Sequence, residues 1–178
     1  MIRICISGLS ASGKTSLGHR LAKELNLMHI TKASTQIYRK ESANFKGDEK
    51  LAEMAVSKHA RTFDKELIEL ASKNNCVVTT WLGPWIVKGP TVRVWLHADI
   101  DARAKRRAKE LNIPVAKAKK MINQKDSLTI KGFKKVQGID INDRSGFDLE
   151  LNTERLSVEE MTAIISMLAL SRANIKFR

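Results

Sequence analysis

Short apolar runs recur along the 178-residue chain, and longer stretches with helical spacing separate them. Each run is four to seven residues long, which suits a β-strand, and the run at 2–7 is also rich in β-branched side chains. The run at 76–82 is the densest, as expected of a central strand of a parallel sheet that is covered on both faces. The five predicted strands are residues 2–7, 27–30, 76–82, 91–96 and 147–151.

The segments between the strands carry apolar residues at helical spacing. Residues 34–74 are predicted to be helical with a break at 46–48, and 100–125 to form two helices, with Pro114 in the first turn of the second. The closing helix is predicted to begin at Ser157, where Glu160 completes a capping box. Two apolar faces are predicted to be buried: Leu17, Leu21, Ala22 and Leu25 in the first helix, and Ile164, Ile165, Leu168 and Leu170 in the last.

Strands that alternate with helices indicate an α/β protein with a doubly wound, parallel five-stranded sheet. The length suits one domain over residues 1–178. Ligands of such sheets bind at the carboxyl ends of the strands. The sequence therefore directs attention to the residues that follow each strand.

The segment Gly8-Leu9-Ser10-Ala11-Ser12-Gly13-Lys14-Thr15 matches the phosphate-binding pattern G-x-x-x-x-G-K-[ST] at every fixed position. The glycines allow consecutive N–H groups to surround an anion at the start of a helix. Lys14 is expected to reach the β- and γ-phosphates of ATP, and the Thr15 hydroxyl to bind Mg²⁺. The predicted ATP-binding residues are Gly8, Ser10, Ala11, Ser12, Gly13, Lys14, Thr15 and Ser16.

Positive charge is concentrated in one part of the chain. The net charge is +13, and residues 101–135 supply +9 of it from twelve basic and three acidic side chains. A phosphate-bearing partner is therefore expected, either a nucleotide or an RNA. Arg103, Arg106 and Arg107 have i, i+3 and i+4 spacing, which predicts one shared helix face and makes them candidate catalytic residues together with Lys14.

The order of motifs resembles the nucleoside monophosphate kinases, and most closely the archaeal-type cytidylate kinases, over nearly the whole chain. The resemblance rests on the stretches "RICISGLSASGKTSLGHRLAKELNL", "QIYRK", "VRVWLHADIDARAKRRAKELNIPVAKA" and "GIDINDRSGFDLELNTERLSVEEM". It implies transfer of the γ-phosphoryl group of Mg-ATP to CMP or dCMP by a cytoplasmic monomer. It also implies that residues 34–74 bind the acceptor, with Arg39 and Asp64 as substrate-binding residues, and that residues 101–135 form a basic lid.

The chain departs from the pattern of that family in three respects. Trp81 stands where the family places an arginine that binds the acceptor phosphate. The absence of that arginine should weaken acceptor binding by roughly 1.5–3 kcal/mol unless another cation compensates. The strand at 76–82 ends without an acidic residue for Mg²⁺, and lysines replace arginines in the stretch "NQKDSLTIKGFKKVQ". Trp81 and Trp85 are predicted to pack in the core or the cleft rather than to stack on a base.

Two other interpretations remain open at this stage. One is an RNA-associated P-loop ATPase, whose basic lid contacts RNA as in ribosome assembly, and the other is a kinase with a different small acceptor. No apolar run approaches the roughly 18 residues of a membrane span, so no membrane contact is expected. The two cysteines lie in strand-like runs and are predicted to be buried thiols.

Overall fold

The computed structural model describes residues 1–36, 60–89 and 92–174. Its five strands form one parallel sheet in the order β2-β3-β1-β4-β5. This arrangement confirms the predicted α/β fold with a doubly wound, five-stranded parallel sheet. The strands are β1 (Arg3–Gly8), β2 (Met28–Ile30), β3 (Cys76–Val78), β4 (Val92–His97) and β5 (Leu149–Asn152).

Six α-helices are described, and a short 3₁₀ turn (Lys32–Ser34) follows β2. The α-helices are α1 (Lys14–Glu24), α2 (Ala60–Lys73), α3 (Gly83–Ile86), α4 (Ile100–Leu111), α5 (Val115–Gln137) and α6 (Val158–Arg172). The predicted capping box is present at the start of α6, since Glu160 N donates to Ser157 Oγ at 3.1 Å and Ser157 N to Glu160 Oε2 at 2.8 Å.

Helices cover both faces of the sheet, which explains its almost uniformly apolar strands. On one face, Ile4, Ile6 and Val94 pack against α1 and α6. On the other face, Cys5 and Val78 pack against α2. An aromatic cluster continues this second core toward the carboxyl ends of β3 and β4, where it includes Trp81, Leu82, Trp95, Phe133 and Ile141.

Two sequence predictions about β3 and α6 were wrong in detail. The strand predicted at 76–82 ends at Val78, because Thr80 Oγ1 accepts a hydrogen bond from Gly83 N (3.1 Å) and the chain turns into α3. Ile164 is 38% exposed rather than buried, whereas Ile165, predicted on the same face, is fully buried as expected. The predicted apolar face of α1 is confirmed for Leu17, Leu21 and Ala22, with Leu25 partly buried against the same cluster.

The basic region at 101–135 folds into α4 and most of α5. The second of the two predicted helices is longer than expected, since α5 continues for 23 residues to Gln137. Gly138 ends it with a φ of 71°, the left-handed conformation that favours glycine at a helix end. The "NQKDSLTIKGFKKVQ" stretch is therefore helical, and one of its faces is turned toward β1 and the phosphate loop.

Candidate active site

The loop between β1 and α1 has the backbone that a phosphate-binding loop requires. Gly8 and Gly13 have φ values of 146° and 96°, which side-chain-bearing residues rarely adopt. A Cβ atom at Gly8 would also overlap the carbonyl oxygen of Leu96. Ser12 is fully buried, and the Ser10 hydroxyl is buried without a hydrogen-bond partner among the described residues. A buried hydroxyl of this kind fits a phosphate ligand, because burial without a hydrogen bond is costly.

Lys14 lies folded back over this loop. Its ammonium group donates to Gly8 O at 2.7 Å and to Leu9 O at 2.8 Å, and lies 5.4 Å from the centre of the Trp81 ring. Burial lowers the pKa of Lys14 to about 7, while the charge of Asp126 opposes this shift. A negative ligand would restore the charged form, as expected of a lysine that binds phosphate groups.

Thr15 and Ser16 are exposed at the start of α1, and Thr15 lines the adjoining cavity. Among the described residues, no three His, Cys, Asp or Glu side chains lie close enough together to hold a metal ion. The site nevertheless suits Mg²⁺, because this ion is commonly held by one or two protein oxygens, substrate phosphates and water. Thr15, which lines the cavity beside the phosphate loop, carries one such oxygen.

A cavity of about 360 Å³ connects the phosphate loop with the carboxyl ends of β2 and β3. Four cations line it, and none of the described lining residues is acidic. The lining residues are Ser10, Ala11, Lys14, Thr15, Thr31, Lys32, Ala33, Thr79, Thr80, Trp81, Arg107, Met121, Ile122 and Lys125. A cavity with this charge is suited to a ligand that carries several phosphate groups.

A buried ion pair attaches α4 and α5 to the phosphate loop. Arg103 donates to Asp126 at 2.7 Å and to the Ser10 carbonyl at 3.0 Å, and Asp126 accepts from Ser10 N at 3.1 Å. Arg103 and Asp126 are only 5% and 6% exposed. Together the two side chains bind both the N–H and the carbonyl oxygen of Ser10. Arg103 therefore contacts the phosphate loop, and it is not among the residues that line the cavity.

The three candidate arginines do not share one environment. Arg107 lines the cavity and also pairs with Glu110 at 2.9 Å. Arg106 donates to the Thr153 hydroxyl and carbonyl at 2.8 and 2.6 Å, beyond the end of β5. The structure thus brings Arg107 to the cavity, places Arg103 beneath the loop and directs Arg106 to another part of the molecule.

Of the two predicted substrate-binding residues, the structure describes Asp64. Arg39 is outside the described residues. Asp64 is partly buried on α2, and Gln137 donates to it at 3.4 Å. Burial raises the pKa of Asp64, and the nearby charge of Lys32 opposes the shift.

Trp81 packs as predicted, in the core next to the cleft. It is 6% exposed, with its ring centre 6.2 Å from that of Phe133. Ser7 Oγ donates to its carbonyl oxygen at 2.7 Å. Trp85 also packs on other aromatic rings, Phe147 at 5.1 Å and Trp95 at 6.5 Å.

Sequence reasoning missed Lys32, Lys125 and Asp126 as site residues. Lys32 follows the carboxyl end of β2, so the rule that ligands bind there could have singled it out. Lys125 and Asp126 carried no such signal, because they lie in a long helix among many other charged residues.

The parallel sheet and the phosphate loop define a P-loop protein, and its similarity to cytidylate kinases makes it an ATP-dependent phosphotransferase. The model of the Cytidylate kinase-like family matches residues 3–155, and the chain belongs to that family. A cytidylate kinase from Pyrococcus horikoshii is 34% identical over 164 residues, which cover 91% of this chain and 85% of that relative.

Two solved structures share the fold at low sequence identity. An uncharacterized protein from Eubacterium ventriosum gives a TM-score of 0.70 at 17% identity and covers 96% of this chain and 99% of its own. A shikimate kinase from Acinetobacter baumannii gives 0.60 at 18% identity, with 96% and 94% covered. Within the described residues, every helix is too short or too polar to cross a bilayer.

Proposed function

We propose that this protein is a nucleoside monophosphate kinase that transfers the γ-phosphoryl group of Mg-ATP to CMP or dCMP. The observation that carries the proposal is the single cavity that joins the phosphate loop to the carboxyl ends of β2 and β3. Phosphoryl transfer requires two anionic groups in line and positive charge around the transferred group. The similarity to relatives named cytidylate kinase supports cytosine as the acceptor base.

In this proposal, the loop N–H groups and Lys14 hold the ATP phosphates, and Thr15 holds Mg²⁺. The metal ion neutralises charge on the ATP phosphates when it is bound. Arg107 and Lys125 approach from α4 and α5 and add positive charge over the same cavity. No general base is required, because the acceptor phosphate is already a nucleophile. Arg103 acts as a positioning residue, since it contacts Ser10 and Asp126.

The proposal keeps the predicted division of the chain. Residues 1–178 form one kinase domain, in which residues 34–74, including Arg39 and Asp64, bind the acceptor and residues 101–135 close over the phosphates. The resemblance also implies a cytoplasmic monomer.

The first experiment measures ADP release from Mg-ATP with CMP, dCMP, UMP, AMP, GMP or no acceptor. We expect CMP or dCMP to stimulate release to the ~1–100 s⁻¹ typical of kinases, because the acceptor completes the reactive pair. Lys14→Ala should remove the activity. A matched control is Lys23→Met, since Lys23 is exposed on α1 and does not line the cavity.

One observation favours a second candidate, an RNA-associated ATPase. Seven lysines of α4 and α5 are exposed: Lys105, Lys109, Lys117, Lys120, Lys131, Lys134 and Lys135. If this surface binds RNA, affinity should fall steeply with salt, and ADP release should be slow, independent of nucleoside monophosphates and stimulated by RNA. That result would contradict the kinase proposal.

A further inference from the structure

The acceptor end of the cavity has its own source of positive charge. Six described residues line this end, on the segments that follow β2 and β3: Thr31, Lys32, Ala33, Thr79, Thr80 and Trp81. Lys32 is the only charged residue of these six. Trp81 carries no charge, and its ring packs against Phe133. Among the described lining residues, Lys32 is therefore the one cation on the segments that follow β2 and β3.

The backbone around Lys32 is held by local hydrogen bonds. The Lys32 carbonyl accepts from Thr35 N at 3.1 Å and from Thr35 Oγ1 at 2.8 Å, and Thr35 is fully buried. Thr31 N donates to Ser34 Oγ at 3.0 Å. These bonds form one compact turn, which fixes the point from which the Lys32 side chain extends and so reduces the conformational cost of binding.

The electrostatic environment of Lys32 also favours an anion. Burial lowers the pKa of Lys32 to about 8, and repulsion from Lys125 lowers it further, whereas the charge of Asp64 opposes the shift. Lys125 lies across the cavity on α5, where Arg107 also lines the wall. Three cations thus surround a space in which none of the described lining residues is acidic, and a phosphate group would relieve their repulsion.

Two hydroxyl groups line the same cavity as Lys32. Thr79 Oγ1 is paired with His29 Nε2 at 2.9 Å, and Thr80 Oγ1 accepts from Gly83 N at 3.1 Å. Both bonds fix the side chains in place at the carboxyl end of β3. A lysine with fixed hydroxyls nearby provides the donors that a phosphate monoester requires.

We propose that Lys32 binds the phosphate of the acceptor nucleotide, with Lys125 on the opposite wall of the cavity. This inference rests on the proposed kinase function and adds to it a cation at the acceptor subsite. It explains how the site holds an acceptor anion although Trp81 contributes no charge. Lys32 is then an acceptor-binding residue, whereas Lys14 serves the ATP phosphates.

The test compares wild type, Lys32→Met and Lys32→Arg, with Lys23→Met as a matched lysine outside the cavity. CMP is varied at saturating Mg-ATP, Mg-ATP is varied at saturating CMP, and CMP binding is measured by calorimetry without turnover. We expect Lys32→Met to weaken CMP binding and raise the KM for CMP about 10- to 100-fold, the loss given by one charge-assisted hydrogen bond. The KM for ATP should change less than about threefold, and Lys23→Met should match wild type.

A pH profile separates a binding role from a purely structural one. The profile is measured at saturating Mg-ATP, whose phosphates keep Lys14 in its charged form. Since the pKa of Lys32 is about 8, kcat/KM of the wild type for CMP should then fall as the pH rises through 8 and the ammonium group loses its proton. Lys32→Arg should keep its value to higher pH, because arginine stays charged. The other charged groups that face Lys32, namely Lys14, Asp64, Arg107 and Lys125, are the same in both proteins, so the difference reports position 32.

The outcomes distinguish the inference from the proposed function. If wild type neither binds CMP nor releases ADP with any nucleoside monophosphate, both are overturned. If wild type uses CMP and Lys32→Met keeps its KM and affinity, only the role of Lys32 is overturned. If wild type prefers another nucleotide of the panel, the same comparison is made with that nucleotide. Should Lys32→Met fail to fold by circular dichroism, identical pH profiles of Lys32→Arg and wild type would overturn the inference.

Discussion

Trp81 shows how one side chain can belong to both the core and the site. Its indole packs against Phe133 and lies under the Lys14 ammonium group, and its own surface is 94% buried, since 6% is exposed. A residue this enclosed stabilises the cavity wall, and its ring face is already covered. Removing this side chain should therefore lower the stability of the protein more than its affinity for substrate.

Trp81→Ala is expected to lower the free energy of unfolding by about 3–5 kcal/mol, as for other large-to-small changes of buried aromatic residues. Urea denaturation followed by circular dichroism measures this loss. The comparison variant is Trp81→Phe, which keeps an aromatic ring and should lose much less. Unchanged stability of Trp81→Ala together with a raised KM for the acceptor would instead indicate that the ring stacks on a base.

At the scale of whole elements, the Arg103–Asp126 pair holds three segments together. Arg103 comes from α4, Asp126 from α5, and both contact the Ser10 backbone in the phosphate loop. Because the pair is buried, changing only one partner leaves the charge of the other uncompensated. This arrangement links the position of the basic helices to the shape of the loop that binds ATP.

Asp126→Asn should destabilise the protein by about 3–5 kcal/mol, because it keeps an acceptor for Ser10 N but leaves the Arg103 charge unpaired. The double variant Arg103→Met/Asp126→Leu should recover much of this loss, since neither charge remains. Unfolding free energies of wild type, Arg103→Met, Asp126→Leu and the double variant form the required cycle. Additive losses in the cycle would show that the two side chains do not interact.

Across the whole molecule, positive charge exceeds negative charge. The net charge is +13, and many of the lysines of α4 and α5 are exposed on one helical pair. Self-repulsion of this kind opposes compact folding and is screened by salt. The nucleotide-free protein is therefore stabilised by conditions that screen charge or supply anions.

The melting temperature of the nucleotide-free protein is expected to rise between 20 and 500 mM NaCl, by roughly 2–4 °C for each kcal/mol gained. Differential scanning calorimetry at constant pH measures the rise. The double variant Lys131→Glu/Lys135→Glu reverses two exposed charges, which lowers the net charge from +13 to +9, and should show a smaller salt effect. An equal effect in both proteins would mean that these lysines do not contribute to the repulsion.

Features that depend on neighbouring residues were predictable from the sequence. The phosphate loop is eight contiguous residues, the strands are continuous apolar runs, and the cap of α6 involves Ser157 and Glu160 only three positions apart. In each case the interacting groups are close along the chain, so their spacing alone specifies the local structure. The same reasoning predicted the parallel sheet and the end of it at which the cavity lies.

Other features were decided only by tertiary structure. Arg106 and Arg107 are adjacent, but one residue along a helix turns the side chain by about 100°, which is enough to direct Arg106 to Thr153 and Arg107 to the cavity. Arg103 meets Ser10 across 93 positions, and Lys32 and Lys125 line one cavity from different elements. No local pattern records such contacts, because they arise from the packing of segments that are distant in sequence. The sequence thus determined the fold class and the ATP loop, whereas the packing of α4 and α5 against the sheet decided which cations surround the cavity.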